Sequence, residues 1–414
     1  MAGTFSLANK GLKLDSAADL EAYIGPLRET QSIKHIDLSG NTFGVGASEA
    51  LAPLLSYQQS LESIDLHDIF TSRLLEEIPL ALSALLTALL QCPKLHTIDL
   101  SDNAFGLKTK DPLVDFLSKH TPLQHLILNN NGMGPIAGTS IADALSLLAE
   151  RKDEARKVGK DIPDLESIVC GRNRLENGSM AAWAKAYKAH SRGMKSIKMT
   201  QNGIRPEGIS HLLTEGLKAC KSLEVFDMQD NTFTIKGATA LAQVIGDWKS
   251  LRELGVGDDL LGARGAVKVF EELAKGENKG LEVLRLQYND IDPKGLVALL
   301  KALKDGLPNG RRIELNGNKF DEEDPSIEAI SELLSDRKEG FGKEEHPEDH
   351  WGLDELDELE GEDSDEEEEG AEEEDDEEEA VLREADEEED QTVAQKKDKE
   401  VDELAEMLEK KAEL

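Results

Sequence analysis

Apolar residues return along this chain in one fixed frame. Ile33, Ile36 and Leu38 are followed by Asn41 and Phe43, and the frame recurs as Leu95, Ile98, Leu100, Asn103 and Phe105. Further copies occupy residues 123–133, 165–175, 194–204, 223–233 and 281–291, and Ile313, Leu315, Asn318 and Phe320 close the series. Two copies keep the apolar register but lose the asparagine: Ile69 follows Leu61, Ile64 and Leu66, and Asp259 follows Leu251, Leu254 and Val256. Most of these marker positions lie 28 to 30 residues apart, but the steps from Ile69 to Asn103 and from Asn131 to Asn173 stretch to 34 and 42.

A period of this length means that each unit buries its apolar face only against its neighbours. The Leu-x-Leu core of the frame is a short strand, with alternate side chains pointing inward and those between them, such as Asp65, Asp99, Lys198, Asp227, Arg285 and Glu314, pointing out. The marker asparagine offers two N–H donors and an acceptor to the backbone groups left open where the strand turns. Between strands, Ala50, Leu51, Leu54 and Leu55, or Leu212, Leu213 and Leu217, have amphipathic helical spacing. The fold class predicted is α/β: a leucine-rich-repeat solenoid, a curved horseshoe of about 11 repeats with parallel strands concave and helices convex. A degenerate opening copy is expected around Leu12 and Leu14. Residues 150–161, in the longer insertion, are dense in charge and read as a lengthened helix and exposed loop. The loop at residues 68–73 follows a repeat without its asparagine and must leave the coil differently. Rule-breaking repeats are where function is most readily grafted.

Charge divides the chain. The formal net charge is −38, and residues 341–414 hold 37 acidic and 7 basic residues, which leaves only −8 for the rest. The repeat stops near Arg337, so three regions are predicted: a leucine-rich-repeat domain over 1–338, an acidic disordered tail over 339–391, and a short charged segment over 392–414. The tail repels itself and has too little apolar surface to fold. In the last segment Val401, Leu404 and Leu408 share one helical face. No surplus of Lys and Arg is available to replace counterions on a phosphate backbone or to meet an anionic bilayer, so neither nucleic acid nor membrane is expected as a partner. No run reaches the 18 or so apolar residues of a membrane span, and the first 14 residues lack a secretory signal's apolar stretch. Cys92, Cys170 and Cys220, far apart and odd in number, suit a reducing compartment.

Enzymatic signatures are missing. There is no GxxxxGK[ST] loop, HExxH or GxSxG, and Gly255, Gly257 and Gly262 are wrongly spaced for a dinucleotide loop, so no cofactor is expected. His35, His67, His96 and His125 recur near strand positions and read as surface residues of a repeat. About ten strands at 4.8 Å spacing would line roughly 45 Å, a surface suited to a protein partner.

Several segments carry more than the apolar frame: HDIFTSR at 67–73, CPKLHTIDLSDNAFG at 92–106, DFLSKHTPLQHL at 115–126, CGRNRLENGSM at 170–180, QNGIRPEGI at 201–209, QDNTFT at 229–234, LRLQYN at 284–289 and ELNGNKF at 314–320. In these solvent-facing letters the chain resembles the Ran GTPase-activating proteins, particularly the fungal ones. The resemblance implies a monomeric cytoplasmic protein that stimulates hydrolysis of GTP on Ran, supports nucleocytoplasmic transport, and acts with Ran-GTP and with Ran-binding proteins as partners. It further implies an activator and not an enzyme with its own nucleotide site. Positioning the attacking water and stabilising spread charge limit GTP hydrolysis, and a partner can supply either. By the resemblance, the family's essential arginine falls on Arg73. The asparagine that braces Ran's switch region and catalytic glutamine falls on Asn130, and further contacts fall on Asp68, Asn129, Arg174 and Asp230. Two other classes fit the bare pattern, a stoichiometric leucine-rich inhibitor or scaffold and an acidic histone chaperone. Neither would accelerate hydrolysis.

Overall fold

Among the described residues, twelve short strands hydrogen-bond in chain order into one parallel sheet, from Thr4–Ser6 through His35–Asp37, Ser63–Asp65, Thr97–Asp99, His125–Ile127, Ser167–Val169, Ser196–Lys198, Val225–Asp227, Glu253–Gly255, Val283–Arg285 and Arg312–Glu314 to Gly352–Leu353. This computed structural model describes residues 3–341 and 351–360; of the tail predicted over 339–391, residues 342–350 and 361–391 lie outside the described residues, as does the whole segment predicted over 392–414. The middle residue of each expected strand is buried, Ile36, Ile64, Ile98, Leu126, Ile168, Ile197, Phe226, Leu254, Leu284 and Ile313 alike, and these pair directly across neighbouring coils. Helices between the strands pack on one another in sequence order. Val45–Ser56 buries Ala47, Leu51 and Leu55, and Gly134–Lys157 is the lengthened helix of the longer insertion. One helix departs from expectation. After Pro206–His211 the backbone widens, so that the Leu217 N–H reaches back to Leu212, and a tighter turn follows at Leu217–Ala219. The backbones approach closely at this turn, where a Cβ on Gly216 would lie 2.7 Å from Ala184 Cα.

The markers form a ladder. Asn103 Nδ2 donates at 2.9 Å to Leu66 O of the preceding coil and to Leu100 O and Ser101 O of its own, while its Oδ1 accepts the Ile69 N–H at 2.9 Å. The relay continues, each marker's N–H bonding to the next marker's side-chain oxygen, from Asn103 through Asn131, Asn173, Asn202, Asn231, Asp259 and Asn289 to Asn318. Substituting Asn173 by alanine would leave the buried Asn131 N–H and the Gly171 and Leu128 carbonyls short of that partner. Asn173→Ala is expected to reduce the unfolding free energy by about 2–3 kcal/mol, measured as a lower urea midpoint at unchanged slope.

Both ends differ from the sequence reading. The opening strand is Thr4–Ser6, with Phe5 and Leu7 buried, not the stretch around Leu12 and Leu14. Left-handed backbone at Asn9 and Gly11 turns the chain so that Lys13–Leu14 instead pairs with Thr42–Phe43 in a separate small sheet. At the other end the helix Pro325–Phe341 runs past 338, and residues 351–360 return to the last coil. The Asp354 carboxylate accepts the Leu315 and Asn316 N–H groups at 2.7 and 3.0 Å. Leu353, Leu356 and Leu359 pack against the core, and Arg311 stacks 5.7 Å over the Trp351 ring. The last coil would otherwise present unpaired N–H groups and an apolar flank; Asp354 accepts the former and the three leucines cover the latter despite the acidic surroundings. The solenoid therefore does not end at the expected boundary, and its sheet gains a twelfth strand.

Candidate functional site

Where each strand leaves the sheet, the residue before the marker adopts left-handed backbone: Asp68, Asp102, Asn130, Arg172, Gln201, Asp230, Asp258 and Tyr288, with Gly40 and Gly317 at the extremes. Only Gly, Asn and Asp take this conformation readily, because a short polar side chain hydrogen-bonds locally and relieves the clash. Seven of these ten positions are Gly, Asp or Asn, and only Arg172, Gln201 and Tyr288 are not; the exit row is thus partly written in residue type. One side chain per coil lies along a single edge, at about 4.8 Å per strand.

Of the six residues singled out from the sequence, five lie on or beside this edge: Asp68, Asn129, Asn130, Arg174 and Asp230. Asn130 is exposed at φ 52°, and its Nδ2 donates to Asp102 Oδ1 at 2.7 Å. Asn129 is committed to the next coil, its Oδ1 accepting the Gly171 N–H at 2.7 Å and its own N–H donating to Ser101 Oγ at 3.1 Å. Asp68 accepts a hydrogen bond from the Thr71 hydroxyl and so shapes the loop that carries Arg73. Arg174 is exposed, also on left-handed backbone. Asp230 lines an open depression of about 350 Å³ with Gln201, Gln229, Asp258 and Tyr288. Partial burial and the neighbouring Asp258 raise the Asp230 carboxyl above its ordinary range, against the lowering influence of Arg172.

Arg73 sits apart from that row. Only 7 % of its side chain is exposed, because the guanidinium turns back over the preceding coils. Its Nε donates to Thr42 Oγ1 at 2.7 Å, Nη2 to Thr42 O at 2.9 Å and Leu14 O at 3.4 Å, and Nη1 to the Asp15 carboxylate. A planar fork with fixed donors suits such a clasp; a lysine ammonium cannot serve all four acceptors. Arg73→Ala and Arg73→Lys are both expected to loosen the first coils by about 2–3 kcal/mol, seen as faster amide exchange at Thr42 and Gly44, whose N–H groups bond to Leu12 O and Leu14 O.

Asp15, Thr42 and Asp102 escape the sequence reading. For Asp102 a signal exists: an Asp immediately before a marker asparagine is a left-handed exit residue. Asp15 and Thr42 give none, since they meet Arg73 only after the coils stack. Beside the edge, on the strand surface, Asp65, His67 and Asp99 form an acidic cluster. His67 Nδ1 bonds to Asp65 Oδ1 at 2.8 Å. Burial alone would lower the imidazole, but the Asp65 hydrogen bond and the charges of Asp65, Asp99 and Asp102 raise it above its ordinary value. The first coils thus present a negative surface next to Asn130.

A parallel sheet whose coils are closed by a relay of buried amides defines a leucine-rich repeat protein, and the profile described as Leucine Rich repeat matches residues 219–242 and 277–300. Among solved structures, the leucine-rich repeat-containing protein LegL7 from Legionella pneumophila aligns over 80% of this chain and 98% of its own, at TM-score 0.45 and 17% identity. Sequence comparison is more specific. Ran GTPase-activating protein 1 of Saccharomyces cerevisiae is 41% identical over 339 residues, 80% of this chain and 82% of that protein. Ran GTPase-activating protein of Drosophila melanogaster is 32% identical over 79% of this chain and 54% of its own length. This chain belongs to the Ran GTPase-activating protein family.

Proposed function

We propose that this chain stimulates hydrolysis of Ran-bound GTP in the cytoplasm, using its exit edge as the docking surface and Asn130 as the group nearest the chemistry. The 41% identity spanning four-fifths of both chains carries the reading. Physically, the edge offers what an activator needs: a rigid row of polar side chains on stacked coils, able to immobilise a partner's loops without contributing a nucleotide pocket. Asn130 is an outward-facing amide in that row, and an amide can both donate to and accept from a partner's glutamine. Arg73, clasped by Asp15, Thr42 and Leu14, supports this as an orienting residue for the first coils and not as an arginine inserted beside the phosphate.

The deciding experiment is hydrolysis of GTP preloaded on Ran, with this protein at a small molar fraction. Repeated turnover at a rate far above that of Ran alone is the expected result. Tight binding without acceleration would make the chain a stoichiometric scaffold instead.

A further inference from the structure

We propose that Asp102 is a positioning residue for Asn130, setting which end of its amide faces the partner. The inference rests on the reading of Asn130 as the group nearest the chemistry. It begins with the backbone: both residues occupy the left-handed exit position, at φ 59° and 52°, on adjacent coils. Each is tethered there, Asp102 N–H to Asn129 O at 3.0 Å and Asn130 N–H to Gly171 O at 2.9 Å. The two side chains therefore stand side by side on neighbouring strands, and Asn130 Nδ2 reaches Asp102 Oδ1 at 2.7 Å.

The identity of the two groups makes this contact directional. An asparagine amide is nearly symmetric in shape, so sterics alone do not distinguish its oxygen from its nitrogen. A carboxylate only accepts hydrogen bonds. The nitrogen of Asn130 must turn towards Asp102, which leaves Oδ1 and the second N–H for the partner. Without the carboxylate, the exposed amide samples about three χ1 wells and two χ2 orientations, and the productive one falls to roughly a sixth of the population. Asp102 is itself exposed, so removing its charge strands no buried group, and a purely structural role predicts no effect at all.

Asp102→Asn tests this with the backbone preference kept, since asparagine also accepts left-handed backbone. Its amide can donate as well as accept, so it no longer dictates the orientation of Asn130. In single-turnover hydrolysis on Ran, kcat is expected to fall about three- to tenfold, with KM for Ran-GTP within twofold and the thermal midpoint unchanged. The Asn130 side-chain amide should show a lower NMR order parameter in the free protein. A double-mutant cycle isolates the mechanism: in the Asn130→Gly background, Asp102→Asn should have no further effect on kcat, because nothing remains to orient. The proposal is overturned if Asp102→Asn leaves kcat intact, if its loss lies in KM alone, or if the two substitutions multiply. Should Asn130→Gly itself hydrolyse at the normal rate, the reading beneath the proposal fails and the proposal with it.

Discussion

Asn130→Ala is expected to slow hydrolysis of Ran-bound GTP by about 10²–10³-fold at saturating protein, the size of effect seen when a single preorganised hydrogen-bonding group is taken from a transition state. The side chain is exposed and bonds to Asp102 at the surface, so its truncation unpairs no buried donor or acceptor. The backbone is another matter. Alanine at φ 52° costs about 1–2 kcal/mol in left-handed conformation, whereas glycine takes it freely. Comparing Asn130→Ala with Asn130→Gly separates the two contributions: both should lose the rate, and only the alanine variant should lower the thermal midpoint. A rate within threefold of the parent in the glycine variant would remove Asn130 from the chemistry.

Asp259→Asn is expected to stabilise the protein, and increasingly so as pH rises. Asp259 occupies a marker position and is fully buried. Its Oδ1 accepts the Asn231 N–H at 2.8 Å, as a marker should, but its Oδ2 has no partner where the other markers place a donating nitrogen. Burial, reinforced by the charges of Asp258, Asp227 and Asp230, raises this carboxyl well above its ordinary 3.8, against the lowering effect of the Asn231 N–H. Raised in the folded state, it binds a proton that the unfolded chain has released, so its contribution is intact below about pH 4 and is lost as pH climbs through the folded value. An amide restores the donor at every pH. The gain at pH 7 should be about 2 kcal/mol or more and should shrink towards zero near pH 4, measured by urea denaturation across that range. A gain of the same size at pH 4 and pH 8 would show that the carboxyl does not titrate with folding.

The candidate edge was legible in part because its backbone demand selects residue type. Asp68, Asn130 and Asp230 each precede a marker position, and their preference for left-handed backbone follows from the side chain alone. Arg174 and Asn129 carry no such signal and entered only through resemblance. The contact between Asp102 and Asn130 spans 28 residues, and nothing local to either residue announces it.

The repeat frame by itself determined that this chain stacks coils: apolar residues at Ile98 and Leu100 need neighbours above and below, and a buried amide such as Asn103 is fully satisfied only when an adjacent coil adds a carbonyl and an N–H to what its own coil provides. Such requirements are met within one period, so they are written in one period. Tertiary structure alone decided which distant groups meet. It folded Arg73 back on Asp15, Thr42 and Leu14, set Asp102 beside Asn130, brought Gly216 against the Ala184 backbone, and brought residues 351–360 round to close the last coil. These pairings depend on the stagger and spacing of stacked coils, a geometry that exists only after the whole sheet has formed.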